Sequence, residues 1–240
     1  MHLLPTATAV DEHQRNADVA LLPVGSYEQH GGHLPLITDT AIAHIIGKRL
    51  ADAYGLMQLP PITIGCSHEH EGLWSGTVSV SASTLYAVIN DVADSLERAG
   101  INRLVLVNAH GGNYVLSHVA QEASAGKRRR ILIYPDSTAW SRAREEAGCV
   151  LTGHQDMHAG EGETSILLHA APELVRDSYR DADHRADDRP NLLLHGMRHY
   201  TSSGVIGQPS AATAEKGSAL LKAFESDFAN RLAELRKPIS

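Results

Sequence analysis

Apolar residues along the chain follow two patterns that alternate with each other. Short unbroken apolar runs predict buried strands, and apolar residues at helical spacing predict amphipathic helices. The strand pattern occurs at residues 19–24, 59–64, 77–80, 103–108 and 131–134. The helical pattern predicts helices that open at Asp39 and Ser83, two more over residues 114–125 and 163–170, and a last one that carries the apolar residues from Leu220 to Leu235.

The run at residues 103–108 has the clearest strand pattern, because its apolar centre shows no alternation. This is typical of a parallel strand that is covered on both faces. A glycine-rich turn, a helix and the run at 131–134 follow, which predicts a βαβ unit. No repeat or linker interrupts the chain, so we expect one α/β domain over residues 19–236, preceded by a polar N-terminal arm at residues 1–18.

Composition and charge restrict the classes of partner. The 240 residues carry a formal net charge of -7, which argues against a broad nucleic-acid interface. The one dense basic run, residues 127–130, is interpreted as a solvated helix end. No run reaches membrane-spanning length, no secretory leader pattern is present, and the two cysteines, Cys66 and Cys149, are far apart. These features predict a cytoplasmic protein without membrane partners.

Three polar loops carry residues that suit metal ions. Glu28 and His30 follow the first strand, and Asp39 opens the next helix. His110 follows the strand at 103–108, and Glu163 lies in a later glycine-rich segment. Loops that follow parallel strands meet at one edge of a sheet, so we expect these five side chains to converge. Carboxylate and imidazole ligands suit zinc, manganese and iron, and Asp39 could bridge two ions as well as cap its helix.

His158 is the candidate acid/base, since a neutral imidazole beside a metal site can take and return a proton near neutral pH. The alternatives are a sixth ligand or a structural histidine. Ser67 and Asn113 are candidates for binding a substrate amide or for orienting ligands. Four further histidines are interpreted as outer-sphere or solvated residues: His33, His68, His70 and His154.

Three sequence segments resemble the signatures of the creatininase (creatinine amidohydrolase) family. They are residues 23–39, residues 107–113 (VNAHGGN) and residues 158–165 (HAGEGETS). Residues 204–207 and 214–217 resemble the C-terminal region of the same family. The resemblance implies a three-layer α/β sandwich around a mainly parallel sheet, often assembled as a homohexamer. It also implies a site with two divalent metal ions, zinc with manganese or iron, that hydrolyses amide or related C-N bonds.

Carried over position by position, Glu28, His30, Asp39 and His110 match ligands of the family. Gly112 departs from creatininase, which has a glutamate ligand there, and Glu163 is our candidate for the missing carboxylate. The His-Gly-Gly-Asn form resembles the formamidopyrimidine-nucleotide deformylase and mycofactocin-precursor peptidase branches. Gln155 and His154 match positions where creatininase has an acidic and an aromatic substrate-site residue, so Gln155 is a further candidate for substrate binding.

The leading functional hypothesis is an amidohydrolase that cleaves a non-peptide C-N bond of a small polar amide, formamide or lactam through a metal-bridging hydroxide. The alternatives are a peptidase that trims a short modified peptide and a metal-binding or assembly protein without turnover. A panel of amides and peptides would separate the first two, and hydrolysis of any of them would exclude the third.

Overall fold

The computed structural model describes residues 4–72, 74–125 and 129–238. Its centre is a sheet of four strands: β1 (Ala20–Val24), β2 (Met57–Gln58), β3 (Arg103–Asn108) and β4 (Arg130–Tyr134). The strand order is β2-β1-β3-β4, and every neighbouring pair is parallel. Val24 lies opposite Asn108 in the central pair, so β1 and β3 end side by side.

Eight α-helices surround the sheet in the described part of the chain: α1 (Ala9–Arg15), α2 (Thr38–Tyr54), α3 (Ala82–Arg98), α4 (Val115–Ala125), α5 (Ser137–Glu146), α6 (Glu161–Ala170), α7 (Leu192–His195) and α8 (Ala214–Arg236). Short 3₁₀ turns join them at His68–His70, Pro172–Leu174, Asp177–Asp181, Met197–His199 and Pro209–Ala211. Within these ranges, none of the helices has the length and apolar character needed to cross a bilayer.

The two faces of the sheet are covered by separate apolar clusters. Leu21 and Val105 point into a cluster with α2, α5, α6 and α8. Their neighbours Leu22 and Leu106 point to the opposite face, into a cluster with α3 and α4. Successive strand residues alternate between faces, and both faces are apolar, which explains the unbroken hydrophobic runs. The predicted three-layer α/β sandwich is confirmed.

The predicted strand at residues 59–64 is wrong in its position. The strand hydrogen bonds lie earlier, at Met57–Gln58, and Ile62 makes only an isolated bridge to Val24. Pro60 and Pro61 have no N–H group to donate to a neighbouring strand, so regular pairing cannot continue through them.

The predicted strand at residues 77–80 is also wrong. Val78 makes an isolated antiparallel bridge to Tyr27, and the N–H of Val80 donates to the carbonyl of Gly65 at 3.0 Å. These partners belong to loops rather than to the sheet. The apolar-polar alternation at residues 77–80 therefore belongs to a segment that bonds to two loops and not to a strand of the sheet.

Helix ends follow local chemistry. Ser81, not Ser83, caps α3, because its hydroxyl accepts a hydrogen bond from the N–H of Thr84 at 3.2 Å. Gly55 ends α2 in the left-handed conformation, as its position predicts. The cap role for Asp39 is wrong: α2 begins at Thr38, and its cap position, Ile37, offers no side-chain bond.

The N-terminal arm contains one element that its polar pattern did not indicate. Thr8 and Asp11 form a reciprocal capping box that starts α1. In the basic run, Lys127 and Arg128 lie outside the described residues. Arg129 pairs with Asp94, and Arg130 donates to the backbone carbonyl of Pro238 at 2.8 Å.

Candidate metal centre and catalytic cleft

The candidate site lies beyond the ends of the two central strands. Glu28 and His30 follow β1, and His110 follows β3, so the parallel pairing brings their loops together. The first turn of α2 supplies Asp39. The convergence predicted for these four residues is present in the structure.

One group of ligating atoms consists of Glu28, Asp39 and His110. The Nδ1 atom of His110 lies 3.2 Å from Oε1 of Glu28 and 3.1 Å from Oδ2 of Asp39. Ser26 donates a hydrogen bond to the same Oδ2 atom at 2.6 Å. All three members of the group are buried, so the two carboxylates and the imidazole face one another away from bulk water.

A second group consists of His30, His158 and Glu163. The Nε2 atom of His30 lies 3.0 Å from Oδ1 of Asp39, and the His30 and His158 ring centres are 4.2 Å apart. Oε2 of Glu163 accepts a hydrogen bond from the N–H of Ala159 at 2.7 Å. Asp39 turns one oxygen toward each group, which is the arrangement that a bridging carboxylate requires.

The donor set fits metal ions because Glu28 is buried without protein hydrogen bonds. Among the described residues, neither carboxylate oxygen of Glu28 has a hydrogen-bond partner, and the residue is fully buried. Nitrogen atoms of His70, His110 and His158 lie 3.3, 3.2 and 3.8 Å from its Oε1 atom. A buried, unpaired carboxylate is strongly unfavourable, and a bound cation would remove that cost.

The charges of the group shift the protonation of its members. Burial acts to lower the pKa of His30, but the neighbouring Asp39 carboxylate outweighs it and raises that pKa to about 10. The pKa of His110 is raised well above its usual value, because Glu28 and Asp39 outweigh the effect of burial. Burial raises the pKa of Glu163 to about 7, although His30 acts in the opposite direction.

His158 lies where an acid/base could act. Burial, together with the neighbouring His30 and His70 rings, holds its pKa well below the usual value. Its Nε2 atom donates to the backbone carbonyl of Gln29 at 2.7 Å, which leaves Nδ1 facing the carboxylates. His158 belongs to two ligand groups, so ligand and proton carrier both remain open for this residue.

The loop that holds His158 is tied down by Asp156. One oxygen of Asp156 accepts from the N–H groups of Glu161 and Gln208, at 2.7 and 3.0 Å. The other accepts from Arg144 at 2.7 Å and from the N–H of Gly162 at 3.1 Å. This buried cluster fixes both ends of the turn between His158 and α6.

The three residues predicted to bind substrate each contact other groups of the protein. Ser67 is buried, with its hydroxyl 3.5 Å from Nε2 of His110. The Asn113 amide is fully used within the protein, since it accepts from the N–H of Cys66 and donates to the carbonyl of Gly25 and to Asn108. Asn113 therefore joins three loops, and its contact with substrate stays a prediction.

Gln155 bonds to Asp187 at 3.3 Å on the rim, next to His154, which lines the cleft. Its proposed contact with substrate stays a prediction.

Two further residues belong to the site: His70, which was interpreted from the sequence as outer-sphere or solvated, and Glu69, which the sequence did not single out. His70 is 3% exposed, and burial lowers its pKa to about 4. Oε1 of Glu69 lies 3.6 Å from Nε2 of His110, and a side chain at Gly112 would overlap both atoms. Glu69 is therefore the carboxylate beside Gly112, and it is a second candidate, with Glu163, to replace the missing glutamate. Spacing alone could not select them from a loop with several polar residues.

A cleft of about 540 Å³ opens onto the candidate centre. Four predicted site residues line it, namely Asp39, His110, His158 and Glu163. Trp140 and Met157 contribute apolar surface to its walls. Gly111 also lines the cleft, and a side chain there would meet no atom within 4 Å. The cleft has the size of pockets that enclose ligands larger than a single amide group.

Comparison with known proteins relates the sequence to one family. A profile named "Creatininase" and described as "Creatinine amidohydrolase" matches residues 5–232. The chain is 36% identical over 225 residues to the "Mycofactocin precursor peptide peptidase" of Mycobacterium ulcerans (strain Agy99), covering 89% of this chain and 84% of that protein. It is 26% identical over 232 residues to the "Creatinine amidohydrolase" of Pseudomonas putida, covering 90% and 89%.

A solved structure named "Creatininase Mn" has the same fold. The two superpose with a TM-score of 0.82, covering 99% of this chain and 100% of that one, at 23% sequence identity. The same fold thus recurs in a protein of distant sequence.

Proposed function

Because this chain belongs to the creatininase family of hydrolases, we propose that it is a dinuclear-metal-dependent peptidase that cleaves a C-N bond of a short peptide. The buried carboxylate of Glu28, which has no hydrogen-bond partner among the described residues, is the observation that carries metal dependence. Nδ1 of His110, 3.2 Å from Oε1 of Glu28, supplies a nitrogen ligand of the kind that zinc and manganese accept.

In this proposal Glu28, Asp39 and His110 hold one cation, while His30, Asp39 and Glu163 hold the other. Relatives described as "Creatininase Mn" and as "Zn-Zn type" support manganese and zinc as the ions to test first. When bound, the two cations supply Lewis acidity and lower the pKa of a coordinated water.

The protein's own contribution is to orient the reacting groups and to move a proton. His158 is held in place by its Nε2 bond to the carbonyl of Gln29, so its Nδ1 atom is free to accept a proton. The low pKa of this imidazole keeps it neutral at pH 7. After accepting a proton at Nδ1, His158 would return it to the leaving nitrogen of the substrate. The buried walls of the site keep bulk water away from these transfers.

A peptide substrate is supported by identity and by the shape of the cleft. The chain is 36% identical to a peptide peptidase and 26% identical to a creatinine amidohydrolase. Gly111 leaves one wall of the cleft without a side chain, which makes room for an extended substrate. The expected restriction to non-peptide bonds is not confirmed, and a small polar amide is now the second candidate.

The test combines metal content with a substrate panel. The protein loaded with zinc or manganese is incubated with short peptides, creatinine, a lactam and a formamidopyrimidine nucleotide, and products are identified by mass spectrometry. We expect about two ions per chain and cleavage of peptides. Glu28→Gln should lose metal and activity, whereas Glu145→Gln, at an exposed position, should keep both.

Three outcomes are informative. Cleavage of the small amides alone would replace the peptide substrate with the second candidate. Metal binding without any turnover would favour a metal-binding protein. Full metal content and full activity in Glu28→Gln would contradict the proposed centre itself. The homohexamer and the cytoplasmic location stay predictions.

A further inference from the structure

The histidines of the site differ in the position of their protons. In each of three rings one nitrogen contacts a backbone carbonyl, which can only accept a hydrogen bond. That nitrogen must therefore carry the proton, and the other nitrogen of the neutral ring has a lone pair that faces the carboxylates. The three contacts are Nδ1 of His30 to Glu28 at 3.1 Å, Nε2 of His110 to Cys66 at 2.8 Å and Nε2 of His158 to Gln29 at 2.7 Å.

His70 has the opposite arrangement because of Gln29. The side-chain Nε2 of Gln29 lies 2.9 Å from Nδ1 of His70, and an amide nitrogen can only donate. The orientation of this amide is determined by two backbone groups. Its Oε1 accepts from the N–H of Gly31 at 3.1 Å, and its Nε2 donates to the carbonyl of Gly204 at 3.3 Å.

Nδ1 of His70 therefore accepts, and the proton of the neutral ring is on Nε2. That atom lies 3.3 Å from Oε1 of Glu28, a close contact that does not reach hydrogen-bond geometry, and both atoms are buried. The amide of Gln29 is also 3.2 Å from Nε2 of His158, but the shorter contact of that nitrogen with a carbonyl requires a proton there, so it accepts nothing from Gln29.

We infer that His70 is a positioning residue: it directs an N–H group toward the carboxylate of Glu28, and Gln29 determines the tautomer that makes this possible. His70 belongs to a group with ligand geometry, with Glu28 and His158, but a protonated nitrogen cannot bind a metal ion. Gln29 thus serves two histidines at once, His70 through its side chain and His158 through its backbone carbonyl. This inference rests on the proposed metal centre.

Nuclear magnetic resonance of the protein loaded with a magnetically active cadmium isotope tests the inference directly. With nitrogen-labelled histidine, ring nitrogens bound to cadmium show a coupling to the metal. We expect this coupling for His30 and His110, and for His70 an unprotonated Nδ1, a protonated Nε2 and no coupling. Coupling to His70 with coupling to the other two would overturn the inference alone. Absence of coupling to His30 and His110 would contradict the proposed centre.

Substitutions at position 70 separate the N–H donor from the volume of the ring. His70→Gln keeps a side-chain N–H near the position of Nε2, and His70→Leu removes it. Substitution of residues that hold metal ligands commonly weakens metal binding by about 10- to 100-fold, so we expect that loss in His70→Leu and near-normal affinity in His70→Gln. Equal metal affinity of the leucine and wild-type proteins would contradict the inference.

Gln29→Glu tests the tautomer and has a matched control. A glutamate cannot donate to Nδ1 of His70, so the proton should move to Nδ1 and the Nε2 lone pair should turn toward the centre. We then expect a new coupling between cadmium and His70. Gln58→Glu is the control, because Gln58 lies 3.3 Å from Nδ1 of His44 in the same way but away from the site. An unchanged His70 spectrum in Gln29→Glu would refute the assigned role of Gln29.

Discussion

Asp39 shows how one side chain acquires a function that its place in a helix does not reveal. It lies in the first turn of α2, where an acidic side chain interacts favourably with the helix dipole. Its carboxylate, however, contacts His30 with one oxygen and His110 and Ser26 with the other. Burial acts to raise the pKa of Asp39, but His30 and His110 lower it by more. The carboxylate therefore stays ionised.

Metal binding should release protons at neutral pH. In the metal-free protein the pKa of His30 is about 10 and that of His110 is well above its usual value, so both rings are protonated at pH 7. Metal ions must displace these protons, and we expect the release of about one to two protons for each two metal ions bound. Calorimetric titration in buffers of different ionisation enthalpy measures the number. His30→Gln should release fewer protons, and equal release would contradict the assignment.

His33 should make the metal-free protein sensitive to acid. The ring is buried and donates to the carbonyl of Ala159 at 3.1 Å, and burial lowers its pKa to about 4 from 6.5. At pH values between about 4 and 6.5, the unfolded chain binds a proton at His33 that the folded chain does not bind. Stability from this group is present above pH 6.5 and is lost as the pH falls toward 4.

Urea unfolding of the metal-free protein across this range provides the measurement. His33→Gln, which can keep a donor to Ala159, should show a weaker dependence of the unfolding free energy on pH. His118→Gln changes an exposed histidine and should leave the dependence unchanged. If all three proteins have the same dependence, His33 is not the cause.

At the scale of elements, the site is built where strands and helices meet closely. Gly25 lies between β1 and the Glu28 loop, and a Cβ atom there would overlap the backbone of Thr40 in α2. Gly25→Ala should therefore displace the helix start that carries Asp39. We expect a loss of about 1–3 kcal/mol in unfolding free energy and weaker metal binding. Gly32→Ala, where a Cβ meets nothing within 4 Å, should change neither quantity.

The loop before α6 depends on one buried ion pair. Asp156→Asn would leave the guanidinium of Arg144 buried without its charged partner, which typically costs about 3–5 kcal/mol. Asp52→Asn breaks an exposed pair with Lys48 and should cost less than about 1 kcal/mol. Chemical unfolding compares the two variants. Similar small losses in both would show that Asp156 does not hold the loop.

The sequence predicts those parts of the fold that depend on local chemistry. The strand at β3, the glycine that ends α2 and the order of the loops with Glu28, His30 and His110 follow from apolar runs, turn residues and strand ends. The pairing of residues 57–58, the bridge at Val78 and the contact of His70 with Glu28 depend on residues far apart in the chain. No local pattern carries that information.

At the scale of the whole molecule, metal ions should stabilise the folded chain. The proposed ligands come from four segments, which are close together only when the protein is folded. An ion that binds the native state alone at 100 times its dissociation constant stabilises it by about 2.7 kcal/mol. Thermal unfolding with and without a chelator should show the difference. Glu28→Gln should show little change, and a full metal-induced shift in that variant would count against the site.

The position of Glu163, the last proposed ligand along the chain, depends on the packing of α8 against α6. Glu163 lies in α6, and α8 packs against α6 so closely that a side chain at Gly217 would overlap the carbonyl of Ser165. Thr213 donates its N–H to the Ser165 hydroxyl at 3.2 Å, and Lys216 pairs with Glu161. During synthesis the first ligands leave the ribosome long before α8 does. A nascent chain therefore cannot retain metal at the complete centre until α8 has left the ribosome and packed against α6.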